Sequence, residues 1–307
     1  MKKVLFATTA LVASAGIAAA EIEFGLSAEM GITGGDFYGA NDEAQFHNDF
    51  TISVDGSGET DGGMTFGFHV EIEESNGGGA TNGSASYDNE SVFISGAFGT
   101  LTLGEIDGAY DRRLKEVAFV GSIADDETIH TGFNGNSGFD GVEDNQILRY
   151  DYSFGDFGFS VSMEQDDNGA GDDDIYAVGV SYDFAMASGI EIGFGLGYTS
   201  KDNNGEIIGA SLYADTGNGF EAGLNASSYD SDFAGADWTH YAIGMAYTWD
   251  AFSIGANYGK YDLDSGSDVD GFGLAANYDL GGGAVVQFGY GDGEDRESYS
   301  LGIAMSF

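Results

Sequence analysis

Tyr299-Ser300-Leu301-Gly302-Ile303-Ala304-Met305-Ser306-Phe307 closes the chain, and its alternation decides the fold. Tyr299, Leu301, Ile303, Met305 and Phe307 fall on one side of an extended strand; Ser298, Ser300, Gly302, Ala304 and Ser306 fall on the other. Successive strand side chains point to opposite faces, so one face is greasy and the other small and polar. The same period of two sets Ile22, Phe24, Leu26, Ala28, Met30 and Ile32 against Glu23, Gly25, Ser27, Glu29, Gly31 and Thr33. It returns in Met64 to Ile72, Ile190 to Tyr198, Tyr241 to Trp249 and Phe252 to Tyr258, and no comparable helical period appears.

Reading outward between turn signals predicts strands starting near Glu21, Ala44, Gly62, Tyr87, Gly99, Asn145, Phe157, Asp174, Gly189, Asn204, Asn218, Asp237, Ala251, Asp268, Gly282 and Arg296. That makes sixteen strands, with about 18 residues for each strand and its connection, which suits the roughly 9 to 11 residues of a tilted membrane strand. The connections differ in kind. Phe98-Gly99, Gly155-Asp156, Asp215 to Gly219, Asp250-Ala251 and Gly281-Gly282 are tight. Gly34 to Glu43, Asp166 to Asp173, Asp230 to Asp237, Asp262 to Asp270 and Asp292 to Glu297 read as longer and acidic. Short turns at one rim and long loops at the other describe an outer-membrane barrel. Closure follows from the solvent, because each unpaired backbone group in hydrocarbon costs several kcal/mol. Aromatic residues near the turns, among them Tyr150, Tyr152, Phe154, Phe157, Tyr247, Trp249 and Phe252, read as an interfacial girdle, with ordinary packing beside turns as the alternative.

Composition excludes several classes. The 307 residues hold 52 acidic and nine basic side chains, for a formal net charge of −43, with no Cys and no Pro. A phosphate backbone would be repelled, so nucleic acid is excluded as a partner. A disulfide scaffold and a thiolate metal site are excluded too. At 42% hydrophobic content the chain has ample material for buried surface. Lys2 and Lys3 lead into an uncharged run ending Ala18-Ala19-Ala20 before Glu21, which reads as a cleaved signal peptide over residues 1–20. An N-terminal anchor helix is the alternative. Residues 21–307 then form the barrel.

With these strands in place, the run Ser95-Gly96-Ala97-Phe98-Gly99-Thr100-Leu101-Thr102-Leu103-Gly104, the long connection after it, the return Arg149-Tyr150-Asp151-Tyr152-Ser153-Phe154-Gly155 and the terminal Phe307 resemble the general diffusion porins of Gram-negative outer membranes, especially the alphaproteobacterial branch. The resemblance covers the chain from Glu21 onward. It implies an all-β, sixteen-stranded antiparallel transmembrane β-barrel whose long third loop folds into the lumen. It also implies a homotrimer in outer-membrane lipid and lipopolysaccharide, passing ions and small hydrophilic solutes by passive diffusion, with no enzymatic activity. Tyr299, Leu301, Ile303, Met305 and Phe307 resemble the C-terminal signal read by the barrel-assembly machinery.

By that resemblance, residues 107–144 are the constriction loop. The segment between Ile106 and Asn145 is far beyond the 12 to 15 residues above which a structureless loop is usually functional. It holds Arg112, Arg113 and Lys115, three of the seven basic residues outside the N-terminal segment, beside Asp107, Asp111, Glu116, Asp125, Asp126, Glu127, Asp140, Glu143 and Asp144. Opposed charges in a narrow, low-dielectric passage orient polar solutes and disfavour apolar ones. Arg149 joins them on the inward face if Leu148, Tyr150 and Tyr152 face out. The alternative is that Arg112 and Arg113 pair with Asp107 and Asp111 at the loop base. In such porins a basic wall commonly faces an acidic loop, whereas much of the positive charge here is on the loop. The acid excess predicts cation preference.

Acidic runs such as Asp172-Asp173-Asp174 and Asp262-Leu263-Asp264 allow loosely bound Ca²⁺ or Mg²⁺ bridging to lipopolysaccharide, although Gly266 takes the fifth place where an EF-hand needs a ligand. No resident cofactor is expected. His47, His69, His130 and His240 are scattered, with His47, His69 and His240 on inward faces, and no hydrolase or metalloprotease motif occurs. A non-conducting structural or adhesive barrel with cation-binding acidic loops is the competing function. A secreted Ca²⁺-binding solenoid lacks its nonapeptide repeat.

Overall fold

The computed structural model describes residues 21–35, 44–75, 85–123, 130–166, 173–294 and 296–307. The signal-peptide reading over residues 1–20 therefore lies outside the described residues. The strands are β1 (Glu21–Gly35), β2 (Gln45–Glu59), β3 (Thr65–Ser75), β4 (Ser86–Gly96), β5 (Gly99–Gly104), β6 (Ile147–Phe154), β7 (Phe157–Glu164), β8 (Ile175–Ala185), β9 (Glu191–Lys201), β10 (Gly205–Asp215), β11 (Phe220–Ser231), β12 (Trp238–Trp249), β13 (Phe252–Leu263), β14 (Val269–Gly281), β15 (Ala284–Gly293) and β16 (Arg296–Ser306). Each pairs antiparallel with its neighbours in sequence, and β1 pairs with β16 from Ser27↔Ser306 to Gly35↔Ser298. The sheet closes with no free edge, so every strand has a partner on both sides.

Register follows the period of two. On β8 the residues from Ile175 to Ser181 alternate buried and exposed, and β9 does the same from Gly193 to Thr199. The exposed set is Phe194, Leu196, Ile208, Leu224, Ile243, Met245, Ile254 and their like, while the covered set includes Ser160, Thr199, Ser211, Asn225, Asn257 and Ser300. The polarity of an ordinary soluble core is inverted. At the tight-turn rim the outward aromatics touch in series: Phe154 with Phe157, Phe157 with Tyr182, Tyr247 with Trp249, and Trp249 with Phe252. They pack as a ladder on the exposed face, the arrangement expected of an interfacial girdle.

Two expectations need correction. Asp292 to Glu297 is not a long acidic loop, because β15 runs to Gly293 and β16 begins at Arg296. Pairing from Ala284↔Met305 to Gly293↔Arg296 takes Asp292 and Glu297 into the ladder and leaves Glu294 in the turn. The other correction is a helix, α1 (Ala109–Arg113), in a segment where the sequence shows no helical period. One turn is too short to carry such a period, and its packing against β7, β8 and β9 holds it.

Candidate functional site

The connection between β5 and β6 is built onto the polar face of the sheet by glycines. A Cβ at Gly179 on β8 would overlap the Ala109 carbonyl oxygen, one at Gly209 on β10 would meet Tyr110 and Leu114, and one at Gly244 on β12 would meet the Val117 carbonyl oxygen. Further on, Gly255 lies against Val120, Gly289 against Ser122, and Gly302 and Gly31 against Ile123. The bare backbone of the wall thus admits the connection's own backbone at close range, which any side chain would prevent. Tyr110, Leu114 and Phe139 are buried with Ile175, Ala177 and Ile207, and Val120 with Ala246 and Ala275.

Polar contacts fix its start. Asp151 on β6 gathers three guanidinium groups: Arg149 Nε at 2.8 Å, Arg113 Nη2 at 3.3 Å and Arg112 Nε at 4.0 Å. Arg113 also donates to Ser160 Oγ (2.7 Å) and the Phe159 carbonyl (2.9 Å), and Ser160 donates to Asp151 at 2.5 Å. Arg149 donates from Nη1 to the Asp107 carbonyl. The arginines accordingly divide by role. The side chains of Arg113 and Arg149 are 11% and 10% exposed and fully engaged, whereas that of Arg112 is 51% exposed. Arg112 and Arg113 turn to Asp151, not to Asp107 and Asp111, because the helical turn packs against β7 to β9 and brings Arg113 beside Asp151 and Ser160.

Asp107 is exposed, Asp111 and Glu116 are half-buried and Lys115 is exposed. The Lys115 peptide is held to the wall, its N–H donating to Ser211 Oγ (2.9 Å) and its carbonyl accepting from Asn225 Nδ2 (3.2 Å). Asp140 accepts from the Gly108 N–H at 2.6 Å. Burial, reinforced by Asp107 and Asp140, pushes the Asp111 carboxyl up to about 8. Burial also lifts Asp140 to about 7, although the Gly108 N–H opposes the rise. Asp125, Asp126 and Glu127 lie outside the described residues.

The return to β6 is closed by two wall residues that sequence reasoning missed, Glu164 and Lys201. Glu164, 1% exposed on β7, accepts N–H bonds from Gly141 (3.0 Å), Glu143 (3.1 Å) and Asn145 (2.9 Å), and Glu143 pairs with Lys201 on β9. Asp151 shares the face of Arg149 by the period of two, so that signal was present. For Glu164, nothing in the sequence marks it from other strand-end acids.

On the polar face of β1 to β3 the sequence places Glu29, Asp49, Asp55, Glu71 and Glu73. His69 Nδ1 lies 2.8 Å from Asp55 and its Nε2 3.5 Å from Glu71; His47 Nε2 lies 3.5 Å from Glu29. Among the described residues no group of three or more His, Asp or Glu is arranged to hold a metal ion.

Comparison with known proteins then places this arrangement. A family model described as Gram-negative porin matches residues 7–298. A porin of Rhodobacter capsulatus is 29% identical over 281 residues, covering 82% of this chain and 90% of its own length. Two engineered variants of Rhodopseudomonas blastica porin superpose with TM-scores of 0.71 and 0.69, at 18% and 17% identity, covering 93% of this chain and all of theirs.

Proposed function

The chain belongs to the Gram-negative porin family, and from that premise we propose how its outer-membrane channel for passive diffusion is narrowed and charged. The described parts of the connection, residues 107–123 and 130–144, lie inside the barrel and form its constriction. Reach supports this. Between Ala109 and Ile123 the chain touches strands from β8 round to β1, nine strand spacings along the wall. At about 4.8 Å each these amount to about 43 Å. Fourteen residues extend to about 49 Å at most, and the helical turn rises only about 1.5 Å per residue. The outer circumference is longer than the wall itself and the inner path shorter. The inner path is the one this segment can cover.

The polar face then lines the aqueous path, with exposed Arg112 and Lys115 carried on the loop and carboxylates on β1 to β3. Both sets act without chemistry on the solute: fixed charges in a narrow passage raise the local concentration of opposite ions. Cations prevail, since seven basic residues stand against 52 acidic ones from Glu21 onward. The carrying observation is the division among the arginines: Arg113 and Arg149 are spent on Asp151, leaving Arg112 and Lys115 as the loop's field-setting bases. The reading extends to a homotrimer set in lipopolysaccharide, to loosely held Ca²⁺ or Mg²⁺ at the acidic loops, and to recognition of the Phe307 strand by the assembly machinery. Reconstitution in a planar bilayer tests it. A KCl gradient is expected to give a cation-selective reversal potential and three conductance steps per inserted unit; an anion-selective sign would overturn the charge assignment.

A further inference from the structure

The far half of the connection is held by two histidines gripping one peptide. His130 Nδ1 accepts the Gly132 N–H at 3.2 Å, so its proton sits on Nε2, which donates to Asn257 Oδ1 at 2.5 Å. His240 Nε2 on β12 donates to the Gly132 carbonyl at 3.0 Å. Its Nδ1 is then the unprotonated nitrogen, and it is buried with no hydrogen-bond partner among the described residues. His130 is 3% exposed and His240 is fully buried. Gly132 itself lies against the backbone of Gly259 on β13, where neither residue has room for a Cβ.

This grip works only with both rings neutral. A proton on His130 Nδ1 turns the acceptor of the Gly132 N–H into a second donor facing it. A proton on His240 Nδ1 creates a buried N–H with nothing to receive it. Among the described residues, the titratable groups facing the rings are each other and Tyr261, whose ring centroid is 4.5 Å from that of His240 and whose hydroxyl donates to the Phe133 carbonyl at 3.4 Å. From β14 the approach is made by Gly271 and by the Asp270 carbonyl, which accepts from Thr131. The Asp270 carboxylate is engaged by Tyr258 on the outward face, and Lys260 on that face pairs with Asp262 and Asp268. Among the described residues, then, no carboxylate faces the pair to stabilise an imidazolium. Burial accordingly holds His130 below the ordinary imidazole value.

We propose that His130 and His240 form an acid-released clasp on Gly132, whose opening lets the connection leave the wall and close the channel. The direction follows from the geometry, given the inward placement proposed above: a segment already against the wall has only the aqueous path to move into. Exposure to acid on the outer side of the cell would then shut a passage that is open at neutral pH.

The test is single-channel recording from pH 7.5 to pH 4.5 on the full chain and on the double variant His130→Gln/His240→Gln, whose amides keep N–H donors but do not titrate. The unaltered channel is expected to lose at least half of its open time across this range, and the double variant to lose little. Equal acid closure in both overturns the clasp. Imidazole ¹⁵N spectra of the unaltered protein in detergent give an independent check, because a ring pair protonating at or above pH 6.5 also overturns it. Should the inward placement be wrong, Arg112→Glu would leave the reversal potential at pH 7.5 unmoved, while the ¹⁵N spectra would still report the clasp.

Discussion

Arg113 Nη2 and Asp151 Oδ1 lie 3.3 Å apart, joining the helical turn of the long connection to the strand that follows it. Arg149 shares the same carboxylate from two residues away on β6. One acid is thus the counter-charge shared by two nearly buried guanidinium groups, and its removal leaves both without one.

Asp151→Ala is expected to cost about 3 to 5 kcal/mol, the range for breaking a buried ion pair. Guanidinium unfolding of the detergent-solubilised barrel measures the loss. Channel recordings should show flicker absent from the parent. Unchanged stability would mean that Arg113 is held by Ser160 and Phe159 alone.

A single methyl group on the wall should displace the connection. Gly244→Ala places a Cβ on the Val117 carbonyl oxygen, which is backbone and cannot rotate aside. Overpacking of this kind costs about 1 to 3 kcal/mol. A fall in conductance is expected as well, with Gly62→Ala in an open turn as the control.

Charge reversal should separate the arginines by role. Arg112→Glu, and to a smaller degree Lys115→Glu, is expected to strengthen cation preference with little change in unfolding midpoint, as befits an exposed group. Arg113→Glu is expected to damage the fold first. Reversal potentials and melting curves measured on the same preparations decide between the two effects.

Between pH 6 and pH 9 cation preference is expected to rise as Asp140 and then Asp111 ionise, with folded-state values of about 7 and about 8. Stability moves the other way. Both values lie above the ordinary carboxylate range, so the folded protein binds more protons than the unfolded chain. The stabilisation is present in full below the ordinary carboxylate value and is lost as pH rises through 7 to 8. Asp111→Asn should flatten the upper half of both profiles.

Phe307 donates its backbone N–H to the Leu26 carbonyl, yet its side chain is largely exposed. Phe307→Asp is expected to leave refolding in detergent intact and to lower outer-membrane abundance in cells several-fold. Equal loss in both settings would make Phe307 a folding residue instead of an assembly signal.

The barrel was legible in the sequence because its determinant is local. Alternation in each strand, as in Tyr299 to Phe307, assigns every side chain to a face without reference to the rest of the chain, and all sixteen strands begin within about three residues of where the turn signals place them. The bases of the connection and the inward set of Arg149 could be named for the same reason. What the sequence left undecided was pairing. Whether Arg113 meets Asp107, Asp111 or Asp151, which strand glycines receive the connection, and that Glu164, His130 and His240 hold it, depend on contacts between residues far apart in sequence, 127 positions for His130 and Asn257. Only closure of the sheet, which brings β1 to β16 and curves the wall around the connection, sets those distances.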